Sequence, residues 1–379
     1  MKTAVYIHIP YCASKCIYCD FLSFPNLSIS PAAYLRALEQ ELVLRSRQLR
    51  EEGVLADTVY IGGGSPTVLS ASELSALLSA CRTYLPLAND TEWTVEVNPG
   101  TIDHHKAVVL RAGGVNRISL GVQDINDHRL ALLGRTHTFS QARQAFSLCR
   151  KFFDVLSVDV MIGLPGQRAA DSAETLRELC AWQPDHFSLY GLKVEAGTRL
   201  DELLEQGELT LPSEEETLLM MQQGREILIA HGFNHYELAN FAKPGHQCRH
   251  NLRYWENRPY LGVGLGAHSY LRNCRCRNTA DFQLYQNSLL AGILPPAISQ
   301  PVQKREEMED TMMLGLRLTR GVSYKEFQRR FRLDLRMLFA EEISRLVERG
   351  LIECDSEAIR LSRQGLPLAN LVFAEFITV

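Results

Sequence analysis

Three cysteines within eight residues, near the start of the chain, could act together in chemistry. Cys12, Cys16 and Cys19 are spaced CxxxCxxC. Cysteines this close make poor disulfide partners for one another and their number is odd, so the spacing favours one shared iron–sulfur centre. A cubane cluster held by only three thiolates would keep one iron open to a non-protein ligand. The alternatives are a zinc site completed by His8 or Asp20, and three ordinary buried thiols.

The composition is that of a globular protein. The chain has 379 residues, 46% hydrophobic and 22% charged, with a formal net charge of −4. This length suits one large domain and a smaller one. Ten cysteines without a signal-peptide pattern predict reduced thiols in the cytoplasm. The lack of a basic excess predicts no nucleic-acid partner, and the lack of a long apolar run predicts membrane contact only peripherally, through a partner.

Six apolar segments alternate with helical patterns over the first half of the chain. Because many of these segments are apolar on both faces, they predict a parallel sheet covered by helices. The predicted strands are residues 4–9, 57–61, 93–97, 117–122, 155–162 and 186–190. After the first strand, Ser30 as N-cap and Pro31 at the first position predict a helix that runs to about residue 52.

Unusual polar and glycine residues follow the ends of these strands, where parallel barrels and open α/β sheets place their ligands. The cysteines follow strand one and the Gly62-Gly63-Gly64-Ser65 turn follows strand two. Glu96, Gln123 and Asp159 stand at or near the ends of strands three, four and five. Tyr190-Gly191 ends strand six. Six positions facing one mouth favour an α/β fold built as a barrel or partial (β/α)6 barrel, although the pattern leaves closure of the sheet open.

The remaining sequence suggests two further units. The core is predicted over 1–235, a connecting segment with the motif His250-Asn251-Leu252-Arg253-Tyr254-Trp255 over 236–300, and a small C-terminal helical, winged-helix-like domain over 301–379. Within this domain, helices are predicted over 305–318, 322–332 and 334–349, followed by a hairpin. Such modules often bind DNA through a basic helix. Here the arginines of 329–345 alternate with acidic residues, so a solvated face of mixed charge is favoured.

The residues at the predicted mouth are of the types that bind a nucleoside. Glycines let backbone groups approach a ligand closely. Glu96 and Asp159 could accept hydrogen bonds from ribose hydroxyls, or could instead be satisfied by local partners. Gln123 adds a neutral hydrogen-bonding group, and Arg135 adds a fork that fits a carboxylate. Beside an open iron, this set suits a small zwitterion that carries a nucleoside, such as S-adenosylmethionine.

Several motifs occur together in one order: CxxxCxxC, GGGSPT, EVNP, SLGVQD, VDVMIGLPGQ and HNLRYW. With them the sequence resembles, over nearly its whole length, the radical SAM superfamily and its oxygen-independent coproporphyrinogen III oxidase-like family. It is most similar to the HemW-type haem chaperone branch, in which Asp-Phe follows the third cysteine, as Asp20-Phe21 does here. The oxidases carry a further cysteine where this chain has Phe21.

This resemblance implies a set of cofactors and contacts. Cys12, Cys16 and Cys19 would bind a [4Fe–4S] cluster whose open iron is chelated by S-adenosylmethionine, and electron transfer from the cluster could cleave that cofactor. The remaining predicted contacts of S-adenosylmethionine are Tyr6, Tyr18, Gly63, Gly64, Ser65, Glu96, Gln123, Arg135 and Asp159. The branch is further expected to bind haem and deliver it to respiratory haemoproteins without decarboxylating coproporphyrinogen. The alternative function is that of an oxygen-independent coproporphyrinogen III oxidase, and whether the chain acts as an enzyme on S-adenosylmethionine stays open.

The HNxxYW motif holds the candidate haem contacts. Imidazole ligates haem iron, and tyrosine and tryptophan offer flat faces to a porphyrin. His250, Tyr254 and Trp255 are therefore predicted as possible contacts, although from the residues alone a packed segment with a hydrogen-bonded histidine is favoured. His246, Cys248 and His268 are competing ligands, and Cys274-Arg275-Cys276 is predicted to be a surface turn. The glycine-rich run 260–268 that precedes it is predicted to be strand-like.

Overall fold

Six parallel strands form the centre of the fold in the computed structural model, which describes residues 1–25 and 29–377. Strand β1 (Lys2–Ile9) leads into the cysteine loop, in which β2 (Tyr11–Cys12) pairs with β3 (Phe24–Pro25). The other central strands are β4 (Leu55–Gly63), β5 (Leu87–Val97), β6 (Arg117–Gln123), β7 (Val155–Ile162) and β8 (His186–Gly191). All six predicted strands are present and are paired in sequence order, each parallel to the next.

Helices follow most of these strands and cover the sheet. They are α1 (Pro31–Glu51), α2 (Ala71–Tyr84), α3 (His104–Ala112), α4 (Asp127–Leu132), α5 (Phe139–Arg150) and α6 (Ala169–Ala181). Helix α1 begins as predicted, with Pro31 at its first position and the hydroxyl of Ser30 accepting a hydrogen bond from the amide of Ala33 at 3.4 Å.

The middle of the chain extends the sheet at both edges. The elements are α7 (Arg199–Glu205), α8 (Glu214–Ala230), β9 (Asn234–Glu237), β10 (Asn240–Ala242), α9 (Arg249–Trp255), β11 (Tyr260–Val263), β12 (His268–Leu271), β13 (Cys274–Asn278), α10 (Phe282–Leu290) and β14 (Ala297–Pro301). The strand order is β14-β13-β12-β11-β1-β4-β5-β6-β7-β8-β10-β9. Since β14 and β9 end opposite edges, the sheet is an open, partial barrel.

Two local predictions in this region are wrong. The glycine-rich run 260–268 is not one strand: it is β11, a turn in which Gly264 and Gly266 have φ angles of 108° and 68°, and the start of β12. The run 274–276 is not a surface turn but lies in β13. The reversal occurs two residues earlier, at Arg272 and Asn273, where φ is 53° and 54°. Two-residue hairpin turns with positive φ usually contain glycine, and this turn contains none, so the sequence gives little indication of it.

The C-terminal region has its own core. It comprises α11 (Lys304–Gly315), β15 (Val322–Ser323), α12 (Tyr324–Phe331), α13 (Leu335–Leu338), α14 (Ala340–Glu348), β16 (Ile352–Cys354), β17 (Ala358–Leu361) and α15 (Ala369–Ala374). Its three short strands form an antiparallel sheet in the order β15-β17-β16, as a helical domain with a small wing requires. The single helix predicted over 334–349 is instead two, because Phe339 leaves helical geometry at φ −119° and ψ 34°.

Two separate groups of buried apolar side chains underlie this division. One extends from Val5 to Leu289 and the other from Met308 to Phe376. The predicted domain limits, 1–235, 236–300 and 301–379, stay predictions, and residues 26–28, 378 and 379 within them lie outside the described residues. In the part of the chain that is described, every helix is too short or too polar to span a bilayer.

Candidate cofactor site

The cysteine loop is fixed to the barrel by backbone contacts on both sides. The amide of Ile17 donates to the carbonyl of Leu133 at 3.1 Å, and the carbonyl of Ile17 accepts from the amide of Leu200 at 2.8 Å. Within the loop, the amide of Cys19 donates to the carbonyl of Cys16 at 3.2 Å. Cys12, Cys16 and Cys19 are all free thiols of intermediate exposure. A loop held in this way presents its cysteines without needing a disulfide.

The glycine turn lies directly against the start of that loop. The amide of Gly64 donates to the carbonyl of Ile9 at 2.9 Å, and the amide of Ser65 donates to the carbonyl of Tyr11 at 2.5 Å. A methyl group on Gly64 would stand 2.4 Å from the oxygen of Tyr11 and 2.9 Å from that of Ile9. The third glycine is therefore required for two backbones to approach each other.

Glu96 lies partly buried beside the same turn. Its carboxylate accepts hydrogen bonds from the hydroxyl of Tyr60 at 2.9 Å and from the amide of Gly63 at 3.2 Å. Burial raises the pKa of Glu96 to about 7, although the Tyr60 hydrogen bond opposes the shift. Both donors contact a carboxylate that is costly to ionise, so further donors from a ligand would be favourable.

Asp159 lies on the neighbouring wall. Its carboxylate accepts from the hydroxyl of Ser119 at 3.0 and 3.1 Å to its two oxygens. Burial raises the pKa of Asp159, and the hydroxyl groups of Ser188 and Ser119 and the charge of Arg117 oppose that rise. Both carboxylates thus have local hydrogen-bond donors, as the alternative interpretation predicts. Both also line the cavity described below.

Gln123 and Arg135 complete the wall nearest the cysteines. The side-chain oxygen of Gln123 accepts from the hydroxyl of Tyr190 at 2.9 Å, and the backbone of Gln123 has a φ of 70°. The guanidinium of Arg135 donates to the carbonyl of Gly121 at 2.7 Å and contacts the sulfur of Cys16 at 3.8 Å. Its buried Nε has no hydrogen-bond partner in the described residues. A guanidinium with an unpartnered, buried donor suits an anionic ligand group.

These groups surround one cavity of about 520 Å³, a volume usual for cofactor sites. The cavity brings together every residue predicted to hold the cluster or S-adenosylmethionine except Tyr6. Those that line it are the three cysteines, Tyr18, Gly63, Gly64, Ser65, Glu96, Gln123, Arg135 and Asp159. Tyr6 lies outside it, where its hydroxyl contacts Nδ1 of His8 at 3.0 Å.

The donor set fits an iron–sulfur cluster, and His8 does not complete it as a zinc site. Both ring nitrogens of His8 are engaged, one by Tyr6 and the other by the carbonyl of Leu22 at 2.8 Å, so His8 is poorly placed as a fourth ligand. Over residues 1–25 and 29–377, no three histidine, cysteine or acidic side chains converge as the ligands of one ion must. Thiolates that each bind a different iron of a cubane need not converge on a point.

Sequence and structure comparisons identify the family. Residues 6–179 match the radical SAM superfamily, and residues 302–368 match the HemN C-terminal domain. The chain is 36% identical to the heme chaperone HemW of Bacillus subtilis, over 100% of this chain and 99% of that protein. The chain belongs to the HemW family.

Two further comparisons place this HemW-family member. The heme chaperone HemW of Synechocystis is 38% identical, over 86% of this chain and 80% of its own. The solved structure of the radical SAM enzyme coproporphyrinogen III oxidase (HemN) from Escherichia coli superimposes with a TM-score of 0.86, covering 100% of this chain and 90% of that one. At 24% identity this second likeness shows a shared fold.

The HNxxYW motif of this HemW-family chain forms helix α9. The carboxylate of Glu92 accepts from the backbone amides of Arg249 at 3.1 Å and His250 at 3.0 Å, and so caps the start of the helix. The ring nitrogens of His250 contact the hydroxyls of Thr58 and Tyr254, each at 2.8 Å. Burial lowers the pKa of His250 to about 3. His250 is thus a neutral, doubly hydrogen-bonded side chain, which agrees with the prediction of a packed segment.

Two more cavities adjoin the cofactor cavity. A small one of about 230 Å³ lies between Phe21, Tyr60, Glu96 and His250. A larger one of about 660 Å³, which we call the strand-face cavity, is bounded by Phe21, Tyr254, Trp255 and residues of β11 to β13. Phe21 lines all three cavities and is 62% exposed. Tyr254 and Trp255 therefore face the larger cavity, and the ring of Trp255 is also stacked under Arg317 at 4.1 Å.

Sequence reasoning missed several residues of the site. Their common signal is a small or polar side chain inside an otherwise apolar strand, as with Ser119 in β6 and Ser188 in β8, which both contact Asp159. Asn251 stands within the motif and lines both the cofactor cavity and the small cavity. Further unpredicted residues of the cofactor cavity are Tyr60, Lys193, Glu195 and Asn240, whereas Tyr190 lines the cavity as the predicted end of strand six.

Proposed function

We propose that the chain binds a [4Fe–4S] cluster, S-adenosylmethionine and haem, and that it delivers haem to respiratory haemoproteins. The observation that carries the proposal is the cofactor cavity, in which three free cysteines face two partly buried carboxylates and a partly buried arginine. Membership of the HemW family supports the haem part, since its relatives are named heme chaperones.

Each group in the cavity has a distinct proposed task. Cys12, Cys16 and Cys19 would hold the cluster, which supplies electron transfer when bound. Arg135 would bind the carboxylate of S-adenosylmethionine through the nitrogen that lacks a partner. Glu96 would accept from ribose hydroxyls, because its buried carboxyl gains from every added donor.

The remaining predicted contacts have supporting roles in this scheme. Gly63, Gly64 and Ser65 would receive the amino group, since their turn lies against the cysteine strand. Asp159 and Gln123 are held by Ser119 and Tyr190, so they are preorganised for the ligand. Tyr18 lines the cavity, whereas Tyr6 could act only from the neighbouring cavities.

Anaerobic reconstitution of the full chain tests the cluster. We expect four irons and four sulfides per chain by chemical analysis, an absorption band that bleaches on reduction, and loss of both when Cys12, Cys16 and Cys19 become alanine. The matched control replaces three thiols outside the cavity, Cys81, Cys149 and Cys354. A cluster retained by the triple variant of the loop would reject the proposal.

Haem delivery is tested by transfer. The haem-loaded chain is mixed with an apo-respiratory haem subunit, and transfer is followed by the absorption of the recipient. We expect transfer at a rate above that of free haem at the same concentration. A parallel coproporphyrinogen assay should yield no divinyl product, and efficient turnover would instead assign the chain to the oxidases. The predicted cytoplasmic location and peripheral membrane contact through the recipient are part of this proposal.

A further inference from the structure

The strand-face cavity has an unusual polar wall. Strands β11, β12 and β13 pair in antiparallel register, with Tyr260 opposite Tyr270, Tyr270 opposite Arg275, and His268 opposite Arg277. Residues directly opposite each other in an antiparallel pair, and residues two apart in one strand, project from the same face of a sheet. All five side chains consequently project from one face, and all five line this cavity.

His268 is the histidine of this wall that is free to bind a ligand. Its ring is exposed and, within the described residues, has no hydrogen-bond partner. The other two candidate imidazoles nearby are occupied: His8 is held by Tyr6 and Leu22, and His250 by Thr58 and Tyr254. An imidazole with a free nitrogen at the rim of a cavity is suited to metal ligation.

The two arginines of the wall also differ in whether an ion-pair partner holds them. The guanidinium of Arg275 is committed to Glu306 and Asp310. Arg277, by contrast, has no ion-pair partner among the residues that the structure describes, and it projects beside His268. A free guanidinium next to a free imidazole matches a ligand that carries both a metal and a carboxylate.

The other walls are aromatic. The rings of Tyr254 and Tyr260 pack edge to face with centroids 4.7 Å apart, and Tyr6, Phe21 and Tyr270 also line the cavity. Flat aromatic side chains stack favourably on a macrocycle. The volume of about 660 Å³ lies within the range of roughly 300–1,000 Å³ usual for organic cofactors.

We propose that haem binds in the strand-face cavity, with His268 as an iron ligand and Arg277 paired with a propionate. This assignment rests on the proposed function and gives the haem a site of its own. The HNxxYW helix then contributes a wall, through Tyr254 and Trp255, and His250 serves as a buried support of Tyr254. Since Phe21 and Tyr6 line this cavity and the small one beside Glu96, the haem would lie next to the cofactor cavity.

Haem titration of the full chain tests the iron ligand. We expect histidine-ligated haem in the wild type by magnetic circular dichroism. In His268→Ala we expect loss of that signature and a rise in the Kd for haem of roughly tenfold or more. Removing a hydrogen-bond partner of a metal ligand already costs about tenfold in affinity, and removing the ligand itself should cost at least as much. Added imidazole should restore the signature. Metal-free protoporphyrin IX should bind both proteins within about twofold, as expected where only the ligand bond is lost.

Control variants distinguish loss of this site from a general loss of haem affinity. His105→Ala, on the exposed surface of α3, should bind haem as the wild type does. Arg277→Gln should weaken haem binding by roughly twofold to fivefold, the range of a partly exposed ion pair. It should leave binding of the haem dimethyl ester unchanged, because the ester has no propionate charge.

The outcomes distinguish failure of the site from failure of the function. A wild-type chain that binds no haem overturns the proposed function and this assignment with it. Haem binding with an unchanged signature in His268→Ala overturns the ligand assignment alone. An equal loss of protoporphyrin IX binding in that variant would show that the side chain shapes the cavity and does not ligate iron, and would also overturn it.

Discussion

Replacing Gly64 with alanine should damage both the fold and the cofactor site. The new methyl group would stand 2.4 Å from the carbonyl oxygen of Tyr11 and 2.9 Å from that of Ile9. These are backbone atoms, so no side-chain rotation relieves the clash. At Gly62, by contrast, the nearest atoms belong to the side chain of Glu96, which has more freedom to move. The turn must therefore separate from the cysteine strand.

The size of the effect follows from what that separation breaks. Forcing an extra carbon into a packed site costs about 1–3 kcal/mol. The bonds from the Gly64 amide to Ile9 and from the Ser65 amide to Tyr11 would also lengthen, at about 0.5–1.5 kcal/mol each if lost. Together this predicts a loss of roughly 2–6 kcal/mol in the free energy of unfolding. At about 2 °C per kcal/mol for a long chain, the apo-protein should melt about 4–12 °C lower.

The matched control is Gly100→Ala. Both glycines lack a positive φ, yet a methyl group at Gly100 would meet its nearest neighbours at 3.6 Å, an ordinary contact distance. Circular dichroism melting of the two apo-variants should show a large shift for Gly64 and almost none for Gly100. Iron content after reconstitution should fall for Gly64 alone, because Cys12 follows Tyr11 directly. Equal melting temperatures and equal iron contents would refute the claim that this turn positions the cysteine loop.

Three further predictions concern charged groups. Arg135→Lys should weaken S-adenosylmethionine binding by about 1.5–3 kcal/mol in calorimetry, since lysine lacks the unpartnered Nε–H that is proposed to bind the carboxylate. The exposed Arg143→Lys should bind normally. Burial raises the pKa of Glu96 from 4.5 to about 7, so its contribution to apo-protein stability is full below pH 4.5 and is lost as the pH rises through 7. Glu96→Gln should abolish that loss of about 3 kcal/mol, and equal pH dependence of unfolding in both proteins would contradict it. Glu92→Ala should lower the free energy of unfolding by about 0.5–2 kcal/mol, because the start of α9 loses its cap. Denaturant unfolding measures this loss beside the exposed control Glu51→Ala, and an equal loss in both variants would count against the cap.

The cofactor cavity was largely predictable because local pattern and parallel topology act together. Once the strands are parallel, their carboxyl ends share one edge, so Glu96, Gln123 and Asp159 had to meet near the cysteine loop. Tyr6 shows the limit of that reasoning. It lies in the middle of β1, in register with Tyr60 and Gly262, and strand position alone does not say which cavity its side chain enters.

The strand-face cavity could not be predicted in the same way, since it depends on pairing that no local pattern encodes. Strand β11 pairs with β1 across about 250 residues of chain, and a glycine turn and a glycine-free hairpin then set the register that places His268 opposite Arg277. A shift of one residue in that register would turn one of the two side chains to the other face. The HNxxYW motif drew attention to His250 because it is recognisable, yet the structure leaves the free imidazole on the neighbouring hairpin. The recognisable motif thus builds the wall, and an unremarkable strand carries the candidate ligand.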